Sequence, residues 1–233
     1  MYIFLTGLTL SIILAWQAHK LSSKGQNRLL ILLAILFPLS ELGKQFLLYV
    51  SNNCSYDWWY FPFQLCSMPM YLLPLYCLLP EKYQQAHLTL ANFLVDFGLL
   101  GGIFAFADPS GMHYSLAVLT LHSYLWHFLM IFLGFFLIFT RKNSTCPKDF
   151  LLPGALFLML VGIATSINII FHTCGSINMF YISPYYLMEQ IVFRKIALFT
   201  GQTAGRLIYL ASEILGAFLI HLSSTLINEE LCL

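Results

Sequence analysis

Two residues able to do covalent and proton chemistry stand in apolar surroundings. Cys66 lies in Phe61-Pro62-Phe63-Gln64-Leu65-Cys66-Ser67-Met68-Pro69, and His127 ends the run His122-Ser123-Tyr124-Leu125-Trp126-His127. Only a thiolate attacks a carbonyl, and a neighbouring imidazole is the usual base that makes one. Cys66 could serve as such a nucleophile only with a base or a lowered pKa. A lone cysteine in an apolar segment is also a common small filler, so residue type alone leaves both roles open.

Other polar residues recur at helical spacing. Glu41, Lys44 and Gln45 stand at i, i+3 and i+4, on one helix face. A Glu41–Lys44 ion pair would neutralise both charges, as a packing clamp or as the charged wall of a cavity. Asn92 and Asp96 are four apart, and a carboxylate at that depth must be protonated, paired or facing water. Thr165, Asn168 and His172 form another stripe, and Glu213 falls inside the last apolar stretch. His122 and His127 are separated by about 140° around a helix, whereas Ser123 and His127 share a face. The Ser-x-x-x-His pattern is similar to that of membrane zinc amidases, but the His-x-x-x-His pair they also need is missing. Cys54, Cys66, Cys77, Cys146, Cys174 and Cys232 show no Cys-x-x-Cys spacing. No metal or other cofactor is expected. Cys54 and Cys174 would both lie near the outer face, where a disulfide could form in an oxidising compartment.

The elements that position these residues follow from composition. Of 233 residues, 59% are apolar and 9% are charged, against about 25% charged in soluble domains. That excludes a soluble globular enzyme. A net charge of +1 with mixed signs gives no footprint for nucleic acid. Apolar stretches at 1–18, 29–50, 61–79, 86–106, 114–139, 150–172 and 204–226 each approach the length that crosses a bilayer. Lipid offers the backbone no partners and no barrel-like alternation is present, so the stretches are predicted as helices. The expected fold is all-α, a single integral membrane domain over 1–233 with about seven helices. Pro38, Pro69, Pro74 and Pro153 should kink or shorten them.

The first stretch lacks a preceding basic region and a small-residue cleavage site, so it reads as a retained anchor. Lys20, Lys24, Arg28, Lys82, Arg141, Lys142 and Lys148 fall on one side, against Arg194, Lys195 and Arg206 on the other. The asymmetry predicts an outside N-terminus and a cytoplasmic C-terminus. Tyr56, Trp58, Trp59 and Tyr60 suit an interfacial aromatic belt. The connection 173–203 is too apolar for a solvated loop and should pack over the outer mouth. No internal repeat or inverted half-and-half symmetry is visible. Intramembrane polar residues turn inward, which predicts a polar cavity built from Glu41, Lys44, Gln64, Asn92, Asp96, His122, Asn168 and Glu213.

The order of several short motifs resembles a known family. Glu41-Leu42-Gly43-Lys44, the Pro-x-x-Leu-Cys of Pro62–Cys66, a mid-span His127, Asn168 and Met179-Phe180-Tyr181-Ile182-Ser183-Pro184 resemble the bacterial YwaF-type integral membrane proteins. The resemblance runs from Arg28 into the last span and implies about seven helices. That family is similar to the eukaryotic transmembrane protein 164, a lipid acyltransferase with a cysteine in the matching motif and a histidine. The resemblance thus implies Cys66 as nucleophile and His127 as base. Gln64 stands where many relatives carry the histidine of an LPLHLC pattern, and glutamine cannot shuttle a proton near neutral pH.

Three functions fit these residues. The first is thiol-dependent acyl transfer between phospholipids, with Gln64, Asn92 or Asn168 donating to the oxyanion. The second is a small carrier or channel lined by Glu41, Lys44, Asp96, His122 and Glu213. The third is a non-catalytic membrane scaffold. All three place a multi-pass protein in the cell membrane with lipids as its partners.

Overall fold

Only helices satisfy their own backbone groups in lipid without closing a barrel, and the computed structural model of the chain follows that rule. It describes residues 2–144 and 146–230, with side chains as far as Ser224. Among the described residues there are eight α-helices and no strand: α1 Tyr2–Ala18, α2 Ser23–Ser51, α3 Pro69–Leu78, α4 Gln84–Phe104, α5 Ala117–Phe139, α6 Leu151–Ile170, α7 Ile191–Thr200 and α8 Gln202–Glu230. By length and composition, α2, α4, α5, α8 and α6 with its leading turn can cross a membrane. The segments Tyr2–Ala18 and Leu65–Leu78 are apolar but shorter.

All seven predicted stretches contain helix, but the third is no full span. A 3₁₀ turn at Trp58–Tyr60 is followed by a second at Leu65–Ser67, and α3 then contributes 10 residues. That is about 15 Å of rise against a hydrocarbon core of about 30 Å. Proline explains the shortening. Pro62 interrupts the lead-in, and Pro69 stands in the first turn of α3, where its missing N–H costs nothing. Cys66 consequently sits where a half-helix begins.

The connection 173–203 is also more ordered than a covering loop. It holds a turn at Met179–Tyr181 and the additional helix α7. A Cβ built on Gly205 would come within 2.5 Å of the Ala197 Cβ, so α7 meets α8 through a gap that only glycine leaves.

Helix α4 is the centre of the bundle. Residues 90–100 are buried without interruption, as for a helix apolar on every side. It packs against α3, α5, α6 and α8, while α1 lies on α5 and α2 on α3. Phe97 stacks on Phe93 at 4.9 Å and on Phe157 of α6 at 4.6 Å. Leu39, Leu42, Leu158 and Leu215 are among the large apolar side chains left on the outside, a surface that lipid solvates.

Candidate functional site

A cavity of about 260 Å³ opens where α2 nears its end, α3 begins, α4 ends and α5 begins, with α8 closing one side. Of the ten residues singled out from the sequence, Glu41, Lys44, Gln64, Cys66, His122, His127 and Glu213 line it. The fold brings these seven together from four segments: α2, the turn before α3, α5 and α8.

Cys66 occupies the 3₁₀ turn Leu65–Ser67, and Trp126 Nε1 donates to its carbonyl at 2.9 Å. Two adjacent glycines of α4 bring Cys66 and His127 alongside. A Cβ on Gly101 would lie 3.9 Å from Cys66 Cα, and one on Gly102 would lie 3.4 Å from the His127 carbonyl oxygen. His127 Nδ1 sits 2.7 Å from the Ser123 carbonyl one turn back. A carbonyl only accepts, so Nδ1 carries the proton and Nε2 is the basic nitrogen. The shared face of Ser123 and His127 therefore has a role, through the Ser123 backbone. His122, on a different face of α5, also lines the cavity and packs on Trp126 at 5.6 Å.

The ion pair anticipated from spacing is present. Glu41 Oε1 accepts from Lys44 Nζ at 2.9 Å and from Gln45 Nε2 at 2.7 Å. Gln45 Nε2 also donates to the Tyr60 carbonyl at 2.7 Å, which ties α2 to the aromatic turn. Glu41 is only 3% exposed, so the pair belongs to the cavity wall and not to the lipid face.

The turn at Met179–Tyr181 contributes Tyr181 to the cavity wall, and side-chain amides hold it there. Asn168 accepts from the Met179 N–H at 2.7 Å and donates to the Met179 carbonyl at 3.0 Å. Gln64 Nε2 donates to the Asn178 carbonyl at 2.9 Å, and Asn178 Oδ1 accepts from Ser183 N–H at 3.0 Å. These bonds support two consecutive non-glycine residues in the left-handed region, Phe180 at φ 54° and Tyr181 at φ 56°, a conformation that persists only where its surroundings enforce it. Tyr181 lines the cavity. Burial, reinforced by nearby negative groups, raises its phenol well above the ordinary range, so it stays a neutral O–H.

Asn92, Asp96 and Asn168 do not line this cavity. Asn168 is the clamp just described. Asn92 and Asp96 face the other end of the bundle, where Asn92 Oδ1 accepts from Ser144 N–H at 2.9 Å and Asp96 Oδ2 meets His221 Nδ1 at 2.9 Å. The sequence reading overlooked His221, Asn178 and Tyr181. A lone histidine in the last apolar stretch needs a partner, and Asp96 was the unpaired carboxylate available; that signal could have found His221. Asn178 and Tyr181 carry no periodicity to betray them.

Cys54 and Cys174 carry free thiols, and Cys232 lies outside the described residues. Among the described residues no three His, Cys, Asp or Glu side chains converge as metal ligands.

The family model for the TMEM164 family matches residues 1–218 of the chain. Neither a curated protein nor a solved structure matches it.

Proposed function

The chain belongs to the TMEM164 family, and from that premise and the cavity's chemistry we propose a thiol-dependent phospholipid acyltransferase of the YwaF type. It works as a multi-pass protein of the cell membrane with its N-terminus outside. One observation carries the reading: Cys66 and His127 line the same cavity, and the Ser123 carbonyl leaves His127 Nε2 as the basic nitrogen. His127 Nε2 takes the Cys66 Sγ proton, and the thiolate attacks the ester carbonyl of a phospholipid. The C–O bond breaks, and the lysolipid leaves with the proton that His127 returns. The acyl chain is then held as a thioester on Cys66. A second lysolipid hydroxyl gives its proton to His127 Nε2 and attacks the thioester. The C–S bond breaks, and the proton passes back to sulfur.

The oxyanion needs donors. Lys44 on the cavity wall and the Cys66 backbone N–H suit that task better than Asn92 or Asn168, which are engaged elsewhere. Gln64 acts as a clamp for the Met179–Tyr181 turn and not as a proton shuttle.

A carrier reading draws on Glu41, Lys44, His122 and Glu213, which line the same cavity. Acyl exchange separates the two. Purified protein in phosphatidylcholine vesicles, given a lysophospholipid acceptor and a radiolabelled acyl donor, should transfer the label. Cys66→Ser and His127→Ala should each lower the rate by about 100-fold or more while remaining monodisperse. Full exchange by Cys66→Ser would remove the acyltransferase reading and leave the carrier.

A further inference from the structure

The same helices that build the Cys66 cavity at one end enclose a second cavity at the other. Its volume is about 420 Å³. The first cavity uses the later part of α2, the start of the α3 segment, the end of α4 and the beginning of α5. The second uses Asn27 and Ile31 early in α2, the end of α3, the first turns of α4, and Lys142 just beyond α5. Along α2, Asn27 and Glu41 are about 21 Å apart. The two cavities therefore lie at opposite ends of the bundle.

The second cavity has the chemistry of a membrane interface. Its inner wall is apolar, with Leu30 and Leu88, and half-exposed Ile31 forms its apolar rim. Its mouth is polar. Lys142 Nζ donates to Asn27 Oδ1 at 3.3 Å, a bond that holds the ammonium at the cavity and leaves two N–H donors. Lys24 and Arg28 flank Asn27 on α2, and Lys82 lies on the neighbouring connection. The lining also holds two acceptors. Glu81 is the lining's acidic residue, and His87 uses Nε2–H on the Leu79 carbonyl at 3.0 Å, which leaves Nδ1 as an acceptor. Ile31 and Ile35 on α2 and Leu75 and Leu78 on α3, two helices that pack together, are exposed apolar side chains on the outside of the bundle.

We propose that this cavity binds the headgroup of one glycerophospholipid at the end of the bundle opposite the Cys66 site. Lys142 takes the phosphodiester, the Glu81 and His87 acceptors take a headgroup that carries hydroxyl or ammonium donors, and the acyl chains lie along Ile31, Ile35, Leu75 and Leu78. The site is independent of any chemistry at Cys66.

Native mass spectrometry of the detergent-purified chain titrated with dioleoyl phosphatidylglycerol tests it. One lipid should bind per chain, with phosphatidylcholine and dioleoylglycerol binding at least tenfold more weakly. Lys142→Gln should weaken phosphatidylglycerol at least tenfold, and Lys142→Arg should retain it. Ile31→Trp fills the apolar half without touching charge and should weaken binding as much, so the test survives if Lys142→Gln misfolds. Lys148→Gln, in the same connection but outside the cavity, should have no effect, and millimolar inorganic phosphate should not compete. Equal losses for Lys142→Gln and Lys148→Gln would reduce the effect to diffuse charge attraction. Competition by phosphate, or equal binding of dioleoylglycerol, would likewise overturn the proposal.

Discussion

Asp96 Oδ2 of α4 lies 2.9 Å from His221 Nδ1 of α8, and both side chains are fully buried. His221 Nε2 is 3.0 Å from the Cys146 carbonyl, which can only accept, so Nε2 carries a proton. One further proton lies between Oδ2 and Nδ1, and the pair is neutral in sum whichever atom holds it. Asn92 adds a bond to the backbone of Ser144, and Ser144 Oγ bonds to Asp149 Oδ2. The central helix, the last helix and the connection between α5 and α6 are thus joined through one buried polar cluster.

Removing one member of that pair should cost more than removing both. His221→Ala leaves the Asp96 carboxyl buried without its partner, a loss of about 3–5 kcal/mol. Asp96→Leu with His221→Leu replaces both by apolar groups and should unfold much closer to the unaltered protein. Thermal unfolding in detergent measures the difference, and a single variant as stable as the double would contradict the pairing.

The Glu41–Lys44 pair makes a parallel prediction at the other end. Glu41→Gln strands the Lys44 ammonium in the wall of the cavity. Its folded yield should fall below that of Glu41→Gln combined with Lys44→Met. Equal yields would mean that the charges are solvated.

Asn168→Ala removes both bonds that hold Met179. With about 1–3 kcal/mol lost, the left-handed backbone at Phe180 and Tyr181 should relax and the turn should open to limited proteolysis. Cleavage within 173–190 should speed up while the helices stay intact. An unchanged cleavage rate would show that other contacts hold the turn.

A lipid-like electrophile should label Cys66, and the labelling should fall in His127→Ala because only the thiolate reacts. Cys77 lines the second cavity, where a lipid-like probe can also dock, so Cys66→Ser supplies the background. Labelling of Cys66 that is unchanged in His127→Ala would make Cys66 a packing residue.

Reporter fusions after Lys24 and Lys142 should report the cytoplasm, and fusions within 173–203 the exterior. The reverse pattern would invert the bundle.

Composition alone determined the class of this protein, because a chain with 9% charged residues cannot cover itself for water. Spacing determined the Glu41–Lys44 pair, since residues three apart on a helix meet whatever the rest of the fold does. Tertiary structure decided which polar stripes meet one another. Asn92, Asp96 and Asn168 obey the same helical periodicity as the cavity residues, yet helix phase and depth send two of them to His221 and the α5–α6 connection and the third to a backbone clamp. The break of the third span into a turn and a half-helix was foreshadowed by its prolines, but its depth depends on packing against Gly101 and Trp126. Periodicity records which way a side chain points around its own helix. It carries no information about how far along the bundle a partner stands, and packing between distant segments sets that distance.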